Sequence, residues 1–285
     1  SGETAWSGSS VAYTVGQVVI RTTTHKKYTC AVAHTSAASP LPENDPTRWQ
    51  EGDPTNRWCP FDVYSTSTKA EATGSITYDL RPGFFTALSL YGLEGSTVDV
   101  TVKDEPGGAE IFSYEADLYA QANGLWELLF SQLQALDKLV LRDIPIAPDA
   151  QLLITVDAGS GTARIGTINV GDYQVLIGDD AEWGGTRTGA TAEPKTFSFI
   201  RTNEDGTVEI VRRGSATDLR AKVIMPAAQA SRAVSIVQQV LDVPVSIIAT
   251  TAEGYDYLNM FGLLSGVATA ETNSAEFDLF AKGFI

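Results

Sequence analysis

The side chains able to do chemistry in this 285-residue chain are few and poorly matched to one another. Its two histidines, His25 and His34, and its two cysteines, Cys30 and Cys59, all lie within the first sixty positions. A Ser-His-Asp triad built from the rest of the chain is therefore excluded, and the His/Cys spacing matches no zinc pattern. Glycoside hydrolysis needs two carboxylates flanking one cleft. The local acidic pairs, Asp179-Asp180 and Glu204-Asp205, fall in expected turns, where solvated acids are the default. The turn Asn203-Glu204-Asp205-Gly206 is too short for a full calcium loop. We expect no enzyme activity, no cofactor and no metal. Cys30 and Cys59 leave two readings open, one disulfide or two buried free thiols. What remains as binding chemistry is aromatic.

Those aromatics are concentrated at the start. Residues 1–52 carry Trp6, Tyr13, Tyr28 and Trp49 around the β-branched run Val18-Val19-Ile20. The pattern predicts a three-stranded minidomain: Gly16 and Gln17 turn into the first strand, His25-Lys26-Lys27 form the hairpin tip, and Tyr28 returns with alternation. A unit this small buries little surface, so Trp6, Tyr28 and Trp49 are needed for its core. The order Trp6, Tyr13, Gly16, Val18, Tyr28, Trp49 resembles the small carbohydrate-binding modules attached to chitinases. That resemblance implies a glycan site, and Tyr13, His34 and Trp49 are its candidates. The adjacent exposed aromatic pair such modules use is replaced here by Ala31-Val32-Ala33-His34-Thr35. The bland alternative is that the aromatics are core and His34 a surface residue.

Residues 53–62, DPTNRWCPFD, separate the module from the body. Pro54 and Pro60 each remove a backbone donor and disfavour the α region for the residue before them. We expect an extended hinge anchored to the following domain by Trp58 and Phe61, with Asn56 and Arg57 free to hydrogen-bond neighbouring backbone.

Residues 63–170 read as an antiparallel, jelly-roll-like β-sandwich. Val98, Val100 and Val102 alternate with Thr97, Asp99, Thr101 and Lys103, and Ile76, Tyr78 and Leu80 alternate likewise. Arg81-Pro82-Gly83 and Glu105-Pro106-Gly107-Gly108 are turns. Further strands are expected at 110–114, 138–141, 152–156 and 164–168. Leu125, Leu129, Leu133 and Leu136 leave helix or packed loop open.

Residues 171–285 read as an α+β unit. Phe197 and Phe199, then Val208 and Ile210, form a hairpin. Leu219, Ala221 and Val223 continue the sheet, and one helix runs from Pro226 through Ala230, Ala233, Val234, Val237 and Leu241 to Pro244. Strands at 245–250, 258–264 and 276–284 close the unit. The stretch Trp183-Gly184-Gly185-Thr186-Arg187-Thr188-Gly189 reads as a long loop of the kind that reaches a neighbouring subunit. The fold class is mainly β: aromatic module, sandwich, and a sheet with one helix.

Charge narrows the partners. The net charge is -15, and residues 1–60 hold five basic and five acidic side chains, so all of it sits on the remainder. Such a field repels phosphate and anionic lipid, excluding nucleic acid as an expected partner and pointing to solubility or to a basic partner. No stretch reaches the roughly 18 apolar residues of a membrane span, and SGETAWSGSS has neither a basic nor an apolar leader region. Nothing here directs the chain to export or membrane insertion.

The order of parts resembles a family of tailed-bacteriophage virion proteins. The resemblance is carried by Pro54-Thr55-Asn56-Arg57-Trp58 with Phe61-Asp62, Pro106-Gly107-Gly108, Leu139-Val140-Leu141, residues 166–170, and 241–249 leading to 257–262. The chain departs from the family pattern at Cys59-Pro60 and at Phe197-Ser198-Phe199-Ile200-Arg201. The resemblance implies a virion location and a structural role at the distal tail, tail tip or baseplate. It also implies three-fold or six-fold copies around the tail axis, other tail proteins as partners, and host attachment through a surface glycan. The C-terminal unit would dock or form the ring while the module projects. The alternatives are a collar or neck protein of the virion and a secreted carbohydrate-binding protein.

Overall fold

The computed structural model describes residues 4–64, 67–119, 126, 135–178, 181–202, 206–212, 214–250 and 254–284. It is mainly β, built from antiparallel sheets around three separate hydrophobic clusters. The expected helix or loop at Leu125, Leu129 and Leu133 lies outside the described residues.

In the module, β1 (Ala12–Tyr13) and β4 (His34–Thr35) form a short ribbon. A second sheet holds β2 (Val18–Arg21), β3 (Lys26–Cys30) and β5 (Trp49–Pro54) in the order β2-β3-β5. The hairpin tip sits earlier than expected. Lys26 and Lys27 already pair with Arg21 and Ile20, and His25 takes the turn with φ 55°. The core is Tyr13, Val19, Tyr28, Cys30 and Trp49. Arg21 lies over Trp6 and donates from Nε and Nη2 to both carboxylate oxygens of Glu43, each at 2.9 Å.

That fork is expected to make the module acid-sensitive. The hydrogen bonds from Arg21 hold Glu43 below the usual glutamate range. A depressed carboxylate stabilises fully above its unfolded value, and the contribution is lost as pH falls through the lowered one. Between neutral pH and about pH 3 the module's melting temperature should fall less in Glu43→Gln than in the parent, with the parent more stable at neutral pH. Parallel acid limbs in the two proteins would show that the fork is energetically idle.

The sandwich packs a four-stranded sheet, β6-β11-β8-β9, against a three-stranded one, β10-β7-β12. The strands are β6 (Ala70–Leu80), β7 (Ala87–Tyr91), β8 (Thr97–Lys103), β9 (Glu110–Asp117), β10 (Lys138–Leu141), β11 (Gln151–Ile165) and β12 (Thr167–Gly171). Val98, Val100 and Val102 are wholly buried, as their alternation requires. The two strands expected at 152–156 and 164–168 differ from this arrangement: β11 runs through Ile165 as one strand, so the second segment is split, with Arg164 and Ile165 ending β11 and Thr167 and Ile168 opening β12. A register shift between Asp157 and Thr162, with Gly159 at φ 59°, lets one long strand bend without ending.

The C-terminal unit comprises β13 (Gly185–Thr186), β14 (Thr191–Thr196), β15 (Phe199–Thr202), β16 (Val208–Val211), β17 (Ser215–Pro226), helix α1 (Ala227–Gln239), β18 (Pro244–Ile248), β19 (Asn259–Ala270) and β20 (Ser274–Gly283). Its main sheet runs β13-β17-β20-β19-β18, with β14 also paired to β17. Pro226 caps α1, whose Ala233 and Val237 are buried against the sheet. The helix stops at Gln239, so Leu241 is 46% exposed rather than part of the apolar face. Asp242, at φ 62°, reverses the chain before β18.

The sandwich and the C-terminal unit meet at Tyr91. Its hydroxyl is 2.5 Å from Ser246 Oγ, its ring is 5.9 Å from that of Phe261, and burial pushes its pKa up to about 12. Lys138 Nζ donates to the carbonyl of Asn259 at 3.0 Å nearby.

Candidate functional site

The glycan candidates come together, but Tyr13 and Trp49 do so as core, with His34 half-buried beside them. Tyr13 and Trp49 pack edge to face at 5.1 Å and are each 3% exposed. The Tyr13 hydroxyl accepts from Ser7 N at 2.8 Å and lies 3.3 Å from the Ser7 carbonyl. His34 stands 5.3 Å from Trp49, its Nδ1 donating to the carbonyl of Val32 at 2.8 Å. Neither Tyr13 nor Trp49 presents a ring face on which a pyranose could stack. A module with so few apolar residues has to fill its centre with them.

Cys30 and Cys59 are buried and not joined in a disulfide, and among the described residues no three His, Cys, Asp or Glu side chains cluster as metal ligands. The acidic pairs Asp179-Asp180 and Glu204-Asp205 lie outside the described residues.

The expected extended hinge is instead a bolt. Residues Asn56–Phe61 form a 3₁₀ helix with Pro60 inside it. In such a helix the amide of residue 60 would bond the carbonyl of residue 57. Proline has no amide hydrogen, and the Arg57 carbonyl instead accepts from the Tyr78 hydroxyl of β6 at 3.0 Å. That substitution lets a proline sit where local rules disfavour it. Asn56 clamps β6 from its side chain, donating from Nδ2 to Glu71 O and accepting from Glu71 N, both at 2.8 Å.

The anchors divide between the two neighbours. Trp58 stacks on His25 of the module at 3.9 Å and 17°, while Phe61 meets Tyr78 of the sandwich at 5.8 Å and 82°. The amide of Thr55, just after Pro54, donates to the His25 carbonyl at 2.8 Å. Tyr78→Phe should therefore cost about 1–3 kcal/mol, because it orphans a carbonyl that Pro60 cannot serve. A urea midpoint shift at unchanged slope checks this, and an unmoved midpoint would count against the role given to the hydroxyl.

The stretch from Trp183 to Gly189 also differs from expectation, since it is partly sheet. Gly185 and Thr186 pair with Ile224 and Val223, and Arg187 Nη1 reaches Glu276 Oε2 at 2.6 Å. A β-carbon at Gly184 would lie 3.0 Å from the Ile224 carbonyl oxygen, so a side chain there would crowd this approach.

Two features of the C-terminal unit have no counterpart among the expected site residues. The first is an arm. Among the described residues, strands β15 and β16 pair only with each other, joining Ile200 to Ile210 and Phe199 to Val211, and every residue in both is exposed. An isolated two-stranded hairpin is marginal in water. This one nevertheless carries Ile200, Ile210 and Val208 on one face and Phe199 and Val211 on the other.

The second feature is a cleft of about 680 Å³ between the three-stranded sheet, the C-terminal sheet and Ile236 of α1. Val140 and Val170 line it from the sandwich, and Leu219, Val245, Leu264 and Leu279 from the C-terminal sheet. Its volume, apolar walls and position between two units are those of a binding site. Sequence reasoning finds the arm as a hairpin. Its exposed apolar residues could have been suspected from apolar side chains falling on both of its faces, whereas the cleft leaves no local signal.

Comparison with family models, with curated proteins and with solved structures finds no match for this chain.

Proposed function

We propose that this chain is a non-enzymatic structural component of a multi-copy assembly, namely the distal tail of a tailed bacteriophage. The exposed arm supports the assembly role: a soluble monomer has no use for a hairpin with exposed apolar side chains on both faces, whereas a subunit does. The placement in a phage tail rests on the sequence resemblance centred on Pro54-Thr55-Asn56-Arg57-Trp58. With Tyr13 and Trp49 buried, sugar recognition within the module lacks the stacking pair it needs, so the proposal carries assembly alone.

The test is an antibody to residues 171–285, labelled with gold and imaged on intact purified particles by electron microscopy. Label at the distal tail supports the reading, and label at the head–tail junction moves the protein to a collar. No label on any particle, with the epitope shown accessible on the free protein, would overturn the virion assignment.

A further inference from the structure

We propose that the bolt carries a carbohydrate-binding platform, in which the open face of Trp58, walled by Phe61, stacks on the C–H face of a pyranose in a neutral polysaccharide. The inference goes beyond the assembly reading and does not depend on it.

The pair is exposed where Tyr13 and Trp49 are not. Trp58 is 42% exposed and Phe61 43%. His25 covers one face of the indole at 3.9 Å and 17°, so the area that Trp58 leaves to solvent lies on its other face and rim. Phe61 stands 5.7 Å away and is turned by 59°, which makes a corner rather than a flat surface. Both rings are held in place. Phe61 packs on Tyr78, and the 3₁₀ helix that carries the two rings is tied to β6 through Asn56 and the Arg57 carbonyl. Rings already fixed lose little freedom when a ligand lands on them.

Three features select the ligand. The first is size. An aromatic side chain has about 150–250 Å² to bury, so the two rings expose roughly 150–200 Å² of apolar surface. One partner in a standard protein interface contributes ~800 Å². Val63 and Tyr64, next in the chain and also exposed, still leave the patch well short of that.

The second is charge. Arg57 and Asp62 flank the rings in the chain, and the charge of Asp53 acts on Asp62. One cation against two anions supplies donors and acceptors without a strong preference for an ion. A nucleobase would bring phosphates, which the net charge of -15 repels.

The third is shape. A pyranose presents weakly positive C–H groups on its face, matched to the negative face of an indole, and sends its equatorial hydroxyls sideways. Asp62 can receive them. Its Oδ1 accepts from the Tyr64 amide and its Oδ2 from the Thr68 hydroxyl, which leaves acceptor capacity on both oxygens.

The experiment titrates the full chain with cellotetraose, a β-linked galactotetraose and mannotetraose by isothermal calorimetry. Sorbitol is the control, a polyol with the hydroxyls but no ring face, and circular dichroism shows whether each variant is folded. At least one tetrasaccharide should bind saturably in the millimolar range, and sorbitol should not. Trp58→Ala should weaken binding about 10-fold or more, and Phe61→Ala about 3-fold or more. Tyr255 and Tyr257 form another exposed pair, with ring centroids 6.0 Å apart. Tyr255→Ala with Tyr257→Ala should bind as the parent does. Trp58→Ala also breaks the His25 stack. Should it disturb the fold, Phe61→Ala decides alone, because its ring is no part of that stack.

The proposal is overturned if the parent binds none of the three sugars, or if sorbitol binds equally well. It is also overturned if folded Trp58→Ala and Phe61→Ala bind like the parent, or if the loss falls on the tyrosine variant instead. Octaproline bound at the same rings, with no sugar bound, would make the corner a peptide site and likewise defeat it. None of these results touches the tail assignment, which the gold labelling of particles decides separately.

Discussion

Trp49→Ala is expected to unfold the N-terminal module rather than merely to delete a surface contact. Trp49 is 3% exposed, stands edge to face against Tyr13, and belongs to a core of five buried residues among those described. Truncating a buried tryptophan typically costs about 3–5 kcal/mol. A unit of about fifty residues has roughly 3–8 kcal/mol of stability in all. The loss is therefore comparable with the whole, and β5, which begins at Trp49, should detach from β3. Rapid limited proteolysis within residues 1–52, with the body intact, is the expected readout. A module that stays folded and protease-resistant in Trp49→Ala would show that the ring is dispensable to the core and reopen a surface role for it.

The second large effect is expected at Phe277→Ala. Phe277 lies on β20, 2% exposed, and joins the cluster formed by β17, β19 and α1. Its ring takes up the space beside Gly266 of β19, where a β-carbon would come within 2.4 Å of Phe277 Cε1. Removing the ring leaves a void beside a glycine, which has no side chain to fill it. The cost should fall at the upper end of about 3–5 kcal/mol. Calorimetry should show the C-terminal unit melting earlier and away from the sandwich, whose own cluster does not include Phe277. A single transition shifted as a whole would mean that the Tyr91–Ser246 and Lys138–Asn259 contacts couple the two units more tightly than their separate cores do. Loss of cleft shape would follow, since Leu279 on the same strand lines it.

Most of the strands were legible in the sequence. Val98, Val100 and Val102 alternate with polar residues because a strand buries every second side chain, and that period is written in consecutive positions. The hairpin at β15 and β16 and the helix after Pro226 were legible for similar reasons, through turn chemistry and a 3.6-residue stripe. Errors gathered where a distant partner overrides a local rule. Pro60 argues against a helix until Tyr78, on another element, supplies the donor that proline lacks. β11 continues past Asp157 because β6 pairs with it on both sides of a bulge, from Leu152 to Asp157 and again from Thr162 to Ile165.

The candidate site was less legible than the fold. By itself the sequence determined a mainly β chain with its aromatics gathered at the start, a proline-marked junction after them, and an acidic body. Those are properties of composition and short-range period, which a chain carries whether or not it is folded. Only the tertiary structure decided that Tyr13 and Trp49 face inward, that the junction is bolted rather than loose, and that an apolar arm and an apolar cleft are left uncovered. Which face of an aromatic meets water, and which apolar surface finds no cover, depends on contacts between residues far apart in the chain.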